Sequence, residues 1–511
     1  MRARALALLL AVAAGAALAL PGAGSRAAAD DRPPVVLLIF DEFPVDDLVR
    51  PDGRIDAARF PNFARLAATS TWFRSGTTVY DSTTKAVPAI LDARAPRKGT
   101  FPGVEGHPRN IFTLFDSLGY DVDAAESVSS VCPEPICVGS TPPTGVIDRL
   151  RGNDRPGRLR RWAASIGDAA RPTLYVHHAL LPHEPWIYLP SGRQSRPGGK
   201  DPVGAINRPN GFGDPDLTDH NHLRHLLQVG ALDRDVGVLL RRLKRTGVLD
   251  EALLVVVADH GYSFEVGAPD RRQVTESNIA QIAPVPFFVK APGQRRGRVD
   301  DRLVRTLDVL PTIADLVGAR IPWPHEGRSA YSAATRRRTV VRIPRRDFSR
   351  VISISHADLA RQRAALRQEW ARLLGTGAES RLFLGDPWAA AHRIGPHLEL
   401  IGRSAPTRAP RAEVRAALAN AGLLRSVPVR GGILPTRVTG VLRGGSNGEL
   451  RDLAVAANGR IEAVGRSFRL SGQPQEWFSL MVPERAIHPG RNRIELFEVV
   501  DGDRLTSLGR F

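Results

Sequence analysis

The sequence predicts an α/β protein with a mostly parallel sheet covered by helices on both faces, followed by a small antiparallel β-sandwich-like domain. Two observations favour the first part: short, continuously apolar runs end in acidic residues, and amphipathic helical stretches lie between them. A third observation favours the second part. From about residue 427 onward the chain changes to short alternating runs separated by turn residues, a texture typical of sandwiches.

Four apolar runs predict strands buried on both faces, because each lacks polar interruptions: residues 35–40, 174–176, 253–258 and 285–289. The first ends at Asp41-Glu42 and the third at Asp259-His260. Ligand sites in such sheets lie beyond the carboxyl ends of the strands. We therefore expect these two pairs of side chains to meet there.

Helices are predicted over 63–70 and 110–118, and over 223–243 where leucines and valines follow one face. Residues 336–346 are rich in Arg and indicate a connection out of this domain. A further helix follows, with Ser355 three residues before Asp358 as its cap and Gly375 as its stop.

The alternating runs of the last part predict strands over 437–442, 452–456, 460–464, 477–482 and 493–499. Asn458-Gly459 provides a turn between two of them. The predicted domains are therefore an α/β domain over 33–335, a linker and helical segment over 336–425, and the sandwich over 427–511.

The composition of the 511 residues, 42% hydrophobic and 24% charged, is that of a globular protein and excludes wholesale disorder. The formal charge is +18, but it comes almost entirely from Arg scattered along the whole chain. No basic block with interleaved aromatic residues occurs. The sequence therefore predicts no nucleic-acid partner.

The N-terminus predicts export. A positive start at residues 1–4, an uncharged apolar stretch at 5–20 and the alanines at 27–29 together indicate a signal peptide over 1–29. The apolar stretch is shorter than the roughly 20 residues that span a bilayer. An uncleaved anchor is the alternative, and it would associate the protein with a membrane, facing outside.

Cys132 and Cys137 are the only cysteines, five residues apart. A close pair in an exported protein predicts a disulfide that staples a loop, with a redox role as the alternative. Two thiols without a nearby His are too few for a structural zinc.

The paired acids and the Asp-His pair carry the predicted chemistry. Asp41, Glu42 and Asp259 offer hard oxygen ligands and His260 adds an imidazole, a set that suits a divalent cation: Zn, Mn, Mg or Ca. Either pair alone is more typical of a solvated loop or a helix cap. The combination at two strand ends predicts a metal site.

A nucleophile candidate lies where the Ser/Thr cluster at 82–84 runs into an apolar helical stretch. Thr83 or Thr84 would then lie at a helix N-terminus, which favours anions, although Ser82 or a Thr could be the N-cap alone. Lys85 follows as a candidate for substrate binding. His183, with His178 five residues before it, follows the strand at 174–176 and could contact a metal or a phosphate oxygen.

These motifs occur in an order that resembles the sulfatase and alkaline-phosphatase superfamily over about residues 33–330, most closely its sulfatase-like hydrolase/transferase branch. They are the acid-terminated strand, the threonines before Ala-Val-Pro-Ala-Ile-Leu, Pro-His-Glu-Pro at 182–185, Asp-His-Gly at 259–261, and the segments 285–293 and 308–315. The resemblance implies an alkaline-phosphatase-like fold. It also implies metal binding by Asp41, with Glu42 as a second or substitute ligand, and by Asp259 and His260. His183 would contact the substrate or a second metal.

The nucleophile departs from that of arylsulfatases, because their Cys/Ser-x-Pro-x-Arg motif is absent. The segment instead resembles that of phosphoethanolamine transferases and lipoteichoic-acid synthases, in which the Thr nucleophile lies five residues before a Val-Pro-containing helix start. In this sequence, the same spacing before Pro88 selects Thr83. We therefore expect an exported, metal-dependent hydrolase or phosphotransferase acting on phospho- or sulfo-esters of envelope lipids or glycans. The alternative is a catalytically reduced cell-surface binding module that uses the C-terminal β domain.

Overall fold

The computed structural model describes residues 32–137, 154–167, 171–197, 213–268, 270–419, 421–444, 449–470 and 473–511. The predicted signal peptide, residues 1–29, lies outside them. Among the described helices, none combines the length and apolarity needed to cross a bilayer.

The described helices are α1 (Pro61–Ala67), α2 (Thr83–Asp92), α3 (Ile111–Ser117), α4 (Arg155–Ser165), α5 (Pro215–Arg245), α6 (Val248–Glu251), α7 (Ile279–Ile282), α8 (Val309–Leu316), α9 (Ala333–Arg336), α10 (His356–Leu374), α11 (Gly377–Leu384) and α12 (Ala421–Arg425). The strands of the first part are β1 (Val35–Asp41), β2 (Thr71–Phe73), β3 (Gly76–Thr77), β4 (Asp121–Ala125), β5 (Thr173–Pro182), β6 (Leu253–Ala258), β7 (Phe287–Lys290), β8 (Arg298–Asp300), β9 (Val304–Arg305), β10 (Val340–Pro344) and β11 (Val351–Ser355). Those of the last part are β12 (Arg415–Leu418), β13 (Arg437–Arg443), β14 (Asp452–Ala457), β15 (Arg460–Arg466), β16 (Phe468–Arg469), β17 (Glu476–Met481), β18 (Ile494–Val500) and β19 (Arg504–Arg510).

The central sheet has seven strands in the order β4-β5-β1-β6-β7-β2-β8. Strands β4, β5, β1 and β6 are parallel, whereas β7 runs antiparallel to both β6 and β2. The predicted class, a mostly parallel sheet, is confirmed. Because β1 lies between β5 and β6 inside the sheet, all seven of its residues are buried.

The sheet separates two apolar cores, and β1 contributes alternately to each. Val36, Leu38 and Phe40 face the core that contains α5, while Val35 and its alternate neighbours face the core that contains α2, α3 and α8. This alternation is the period of two that a pleated strand imposes. Helices cover both faces, as the sequence predicts.

The last part contains two four-stranded antiparallel sheets, in the orders β12-β13-β17-β16 and β15-β14-β18-β19. This confirms the predicted antiparallel C-terminal sheets. Asn458 and Gly459 both have positive φ and form the turn between β14 and β15, as the sequence predicts. Strand β12 precedes residue 427 and pairs with β13, so the last part draws on the chain before that predicted boundary.

The segment between the two parts contains the β10–β11 hairpin and helix α10. Ser355 caps α10 by accepting the N–H of Asp358 at 3.0 Å, and Gly375 follows its last residue with φ of 59°. Both helix signals are confirmed. Elsewhere, Cys132 and Cys137 form the predicted disulfide, with their Cα atoms 6.1 Å apart.

Candidate active site and metal centre

The site is built where β1 and β6 end side by side. Phe40 pairs with Ala258 in the parallel register, so the residues that follow them, Asp41 and Asp259, emerge together. The N–H of Asp259 donates to the carbonyl of Phe40 at 2.9 Å. The N–H of Glu42 donates to Asp259 Oδ1 at 3.2 Å, and Glu42 itself has φ of 60°. The backbone thus turns sharply at the strand end and directs both carboxylates into one buried space.

The ligand atoms expected from the sequence converge. One atom each of Asp41, Asp259 and His260 lie within 4.8 Å of one another, and the same holds for Asp41, Glu42 and His183. Among the described residues, Asp41 Oδ2 and Asp259 Oδ2 are buried without a hydrogen-bond partner. Ionised carboxylates only accept hydrogen bonds, so two unsatisfied oxygens in a buried site fit a cation.

Electrostatics point the same way. Burial, together with the nearby carboxylates of Asp259 and Glu42, raises the pKa of Asp41 well above its usual range. Burial likewise raises the pKa of Asp259. Buried like charges at this separation repel, and a divalent cation between them would offset that repulsion. Oxygen ligands with an imidazole are a donor set that Zn²⁺ or Mn²⁺ accepts.

Two histidines direct their Nε2 atoms towards the centre. His260 donates Nδ1–H to the carbonyl of Gly261 at 2.9 Å, and His183 donates Nδ1–H to the carbonyl of Glu184 at 2.7 Å. In each ring Nε2 is therefore the atom that faces the carboxylates. His178 Nε2 lies 4.0 Å from Asp41 Oδ2. Burial lowers the pKa values of His178 and His183 to about 3, so both imidazoles are neutral at pH 7.

Helix α2 brings one of the two candidate threonines to the carboxylates. Thr83 is the first residue of the helix, and its Oγ1 lies 3.2 Å from Asp41 Oδ1 and 3.2 Å from His260 Nε2. Thr84 is exposed, and its hydroxyl lies 3.4 Å from that of Ser82. Ser82 occupies the N-cap position, but its side chain makes no capping hydrogen bond. The structure thus places Thr83 at the centre and Thr84 outside it.

Lys85 extends in another direction. Its Nζ donates to the carbonyl of Thr100. It lines a cavity of about 90 Å³ together with Asp92 and His107, whereas Thr83 is not part of that lining. The predicted role of Lys85 in substrate binding stays a prediction.

Two arginines that the sequence analysis did not identify hold Glu42. Arg271 is 1% exposed and donates to Glu42 Oε1 from Nη2 at 2.9 Å and from Nε at 3.2 Å. Arg272 Nε lies 3.7 Å from the same oxygen. Burial alone would raise the pKa of Glu42, but the attraction of Arg271, then His183 and Arg272, outweighs burial and lowers it. Glu42 is therefore an ionised carboxylate whose charge is already shared with a guanidinium. The only signal in the sequence was the adjacent arginines after Asp270.

A second unpredicted group supports the backbone at Glu42. His225 on α5 donates Nε2–H to the carbonyl of Glu42 at 3.2 Å, and its Nδ1 lies 2.9 Å from Asp47 Oδ2. His222 Nε2 lies 2.9 Å from the other oxygen of Asp47. The spacing of three between the histidines puts both on one helix face, which was the available signal.

Fold and site together define an α/β protein with a buried carboxylate and imidazole centre at the carboxyl edge of its parallel strands. The family model described as Sulfatase matches residues 158–319. Residues 158–319 are thus similar to the sulfatases, in agreement with the resemblance that the motifs indicate.

Two curated relatives and one solved structure illustrate the similarity. An endo-4-O-sulfatase from Bacteroides thetaiotaomicron is 30% identical over 107 residues, 20% of this chain and 21% of the relative. The N-sulphoglucosamine sulphohydrolase of Homo sapiens is 34% identical over 98 residues, 19% of this chain and 18% of the relative. The chain thus spans about a fifth of the length of these relatives. The phosphonate monoester hydrolase SpPMH from Silicibacter pomeroyi aligns with a TM-score of 0.42 at 18% identity, covering 61% of this chain and 79% of its own.

Proposed function

We propose that this protein is an exported, metal-dependent hydrolase or phosphotransferase that cleaves phospho- or sulfo-esters of envelope glycans or lipids, with Thr83 as the nucleophile. The observation that carries the proposal is the position of Thr83 Oγ1, 3.2 Å from both Asp41 Oδ1 and His260 Nε2 at the start of α2. A buried hydroxyl at this point can attack an ester held over the carboxylates.

Asp41, Asp259 and His260 would hold the divalent cation. Glu42 and His183 form a second cluster of ligand atoms that also includes Asp41. A bound cation supplies positive charge that favours the ionised form of the Thr83 hydroxyl and stabilises charge on the ester oxygens. The proton of the hydroxyl passes to Asp41 Oδ1, which lies 3.2 Å away, because His260 Nε2 would be taken up by the cation. The oxygen–phosphorus or oxygen–sulfur bond to Thr83 forms as the bond to the leaving alcohol breaks.

The covalent Thr83 ester is then resolved by a second acceptor. Attack by water regenerates the hydroxyl and releases phosphate or sulfate, whereas attack by an alcohol transfers the group. His183 offers its neutral Nε2 beside Glu42 and can hydrogen-bond an incoming hydroxyl.

Two features of the site suit an anionic ester. Arg272 Nε is buried without a hydrogen-bond partner among the described residues, although it lies on the Glu42 side of the centre. The N-terminus of α2 adds the positive end of a helix dipole beside Thr83. Both would supply positive charge to the oxygens of an anionic ester.

A Thr at this position favours phosphorus over sulfur, since the Cys/Ser-x-Pro-x-Arg motif, whose Cys or Ser becomes formylglycine in arylsulfatases, is absent. The names of the two relatives, an endo-4-O-sulfatase and an N-sulphoglucosamine sulphohydrolase, favour glycan esters. We therefore propose a glycan or lipid ester of the cell envelope as the substrate. The assay below distinguishes phosphate esters from sulfate esters.

The test is a matched pair of variants, Thr83→Ala and Thr84→Ala, assayed on phosphodiester, phosphomonoester and sulfate ester substrates with added Zn²⁺, Mn²⁺, Mg²⁺ or Ca²⁺. Thr83→Ala should lower kcat by at least about a thousandfold, as removal of a nucleophile does. Thr84→Ala is the control and should stay within about twofold of the wild type, because its side chain is exposed. Full activity of Thr83→Ala, or no cleavage of any substrate with any metal, would refute the proposal.

Export is part of the proposal, and the Cys132–Cys137 disulfide supports it. Cell fractionation with N-terminal sequencing of the mature protein distinguishes the two forms of export. A new N-terminus near residue 30 indicates a cleaved signal peptide, an intact N-terminus in the membrane fraction indicates an anchor, and recovery in the cytoplasm contradicts both.

A further inference from the structure

The turn of the β10–β11 hairpin docks against the segment that leads into Thr83. The turn is closed by the N–H of Arg345 donating to the carbonyl of Arg350 at 2.9 Å. Phe348, with φ of 59°, stacks on the ring of Tyr80 with centroids 5.1 Å apart. The hydroxyl of Tyr80 donates to the carbonyl of Arg346 at 2.8 Å. The turn therefore has a defined place beside the nucleophile segment.

From this turn, the Arg346 side chain reaches two loops of the site. Its Nη1 donates to Asp270 Oδ2 at 2.6 Å, and its Nε lies 3.8 Å from Asp81 Oδ1. Asp81 is fully buried and lies two residues before Thr83. Its other oxygen accepts the N–H of Val274 at 3.0 Å.

Asp270, the other partner of Arg346, begins the loop that carries the guanidiniums around Glu42. Its Oδ1 accepts the N–H of Arg272 at 2.8 Å, and Arg271 lies between them in the chain. One guanidinium thus connects the loop that ends in Thr83 with the loop that fixes Glu42.

We propose that Arg346 is a positioning residue that holds these two loops in register, so that the Thr83 hydroxyl and the Glu42 carboxylate keep their places around the metal centre. The proposal rests on the proposed function for its kinetic consequence, but its structural consequence stands separately. A group misplaced by about 1 Å can cost about a hundredfold in rate. Loss of Arg346 should therefore act mainly on kcat, with KM changed less, because the side chain acts through Thr83.

The remaining contacts of the turn make the variant testable. Tyr80 binds the backbone carbonyl of residue 346 and stacks on Phe348, and neither contact needs the guanidinium. Arg350 provides a matched control in the same turn, since its Nη2 pairs with Glu276 Oε2 at 2.9 Å and both side chains are more than half exposed, at 53% and 65%.

The experiment compares Arg346→Ala, Arg346→Lys and Arg350→Ala by steady-state kinetics and by amide hydrogen exchange of residues 78–84 and 270–274. We expect Arg346→Ala to lower kcat by about ten- to a hundredfold and to raise exchange in both segments, with partial recovery of kcat on adding guanidinium. Arg350→Ala should match the wild type in both measurements.

Arg346→Lys keeps the charge but cannot span two carboxylates, so only one of the two segments should keep its wild-type protection from hydrogen exchange. This variant replaces Arg346→Ala in the test if the Ala variant does not fold. The inference is overturned if Arg346→Ala, or Arg346→Lys in its place, matches Arg350→Ala in kcat and in the exchange of both segments. If the wild type cleaves no ester, the proposed function is wrong. Hydrogen exchange of the two segments then decides by itself whether Arg346 holds them in place.

Discussion

Arg271 lies wholly inside the protein against two carboxylates, and its removal has a calculable cost. Its Nη2 lies 2.9 Å from Glu42 Oε1 and 3.2 Å from Glu184 Oε1. The side chains of Arg271 and Glu42 are 1% and 0% exposed. Replacing Arg271 with Met would leave the Glu42 carboxylate buried without its main partner.

Breaking a buried ion pair by removing one partner costs about 3–5 kcal/mol. Arg272 Nε, 3.7 Å from Glu42 Oε1, supplies part of the lost attraction, so we expect the lower end, about 3 kcal/mol. That is a substantial share of the roughly 5–15 kcal/mol by which a domain is stable. The double variant Arg271→Met/Glu42→Gln should recover most of the loss, because the uncompensated charge is gone.

The assay is urea unfolding at pH 7 in the presence of a chelator, for both single variants and the double variant. Arg504→Ala is the control, since Arg504 pairs with Asp501 at 2.6 Å with side chains 58% and 77% exposed. Such a pair contributes only about 0.2–1 kcal/mol. A loss in Arg271→Met no larger than in Arg504→Ala, or a double variant as unstable as Arg271→Met, would show that the pair does not compensate Glu42.

Three other outcomes follow from the described contacts. Burial lowers the pKa of His220 to about 3, so the unfolded chain takes the proton first and stability is lost as pH falls from 6.5 towards 3. At pH 4.5 the wild type should therefore have lost about 3 kcal/mol more unfolding free energy than His220→Met, and equal losses in urea titrations would contradict this. Thiol titration of the unreduced protein should find no free Cys132 or Cys137, and replacing both with Ser should lower the unfolding free energy by about 2 kcal/mol, whereas free thiols would refute the bridge. His225→Phe removes the donor to the carbonyl of Glu42 and should weaken metal binding by about tenfold or more in calorimetry, an effect whose absence would remove His225 from the support of the site.

The central fold could be predicted because its signals are local. Residues 35–40 and 253–258 are apolar without interruption, and each is followed directly by the acids that mark its carboxyl end. Parallel pairing then requires Asp41 and Asp259 to emerge together, and the structure places them so. The strand at 174–176 extends to Pro182 because His177 and His178, although polar, are buried within it. Their burial depends on neighbouring strands, which the local pattern does not contain.

The support of the site could not be predicted, because its partners are far apart in the chain. Arg271 and Glu42 are separated by 229 positions, and Arg346 and Asp270 by 76. Arg residues are also scattered throughout this sequence, so a single one carries no signal about its partner. The docking of the β10–β11 turn on Tyr80 brings Arg346 within reach of the site.

The choice between the two threonines shows what decides a site at the level of one residue. Consecutive side chains on an α-helix point about 100° apart, so only one of two neighbours at a helix start can face a buried centre. Composition and helix signals fit either residue, and the N-cap alternative fits both. The helix begins at Thr83, which directs that hydroxyl towards Asp41 and leaves Thr84 in solvent. A start one residue later would exchange the two. Which of the two threonines faces the carboxylates therefore depends on what fixes the segment before α2. That segment contains Tyr80 and Asp81, the residues that the β10–β11 turn contacts.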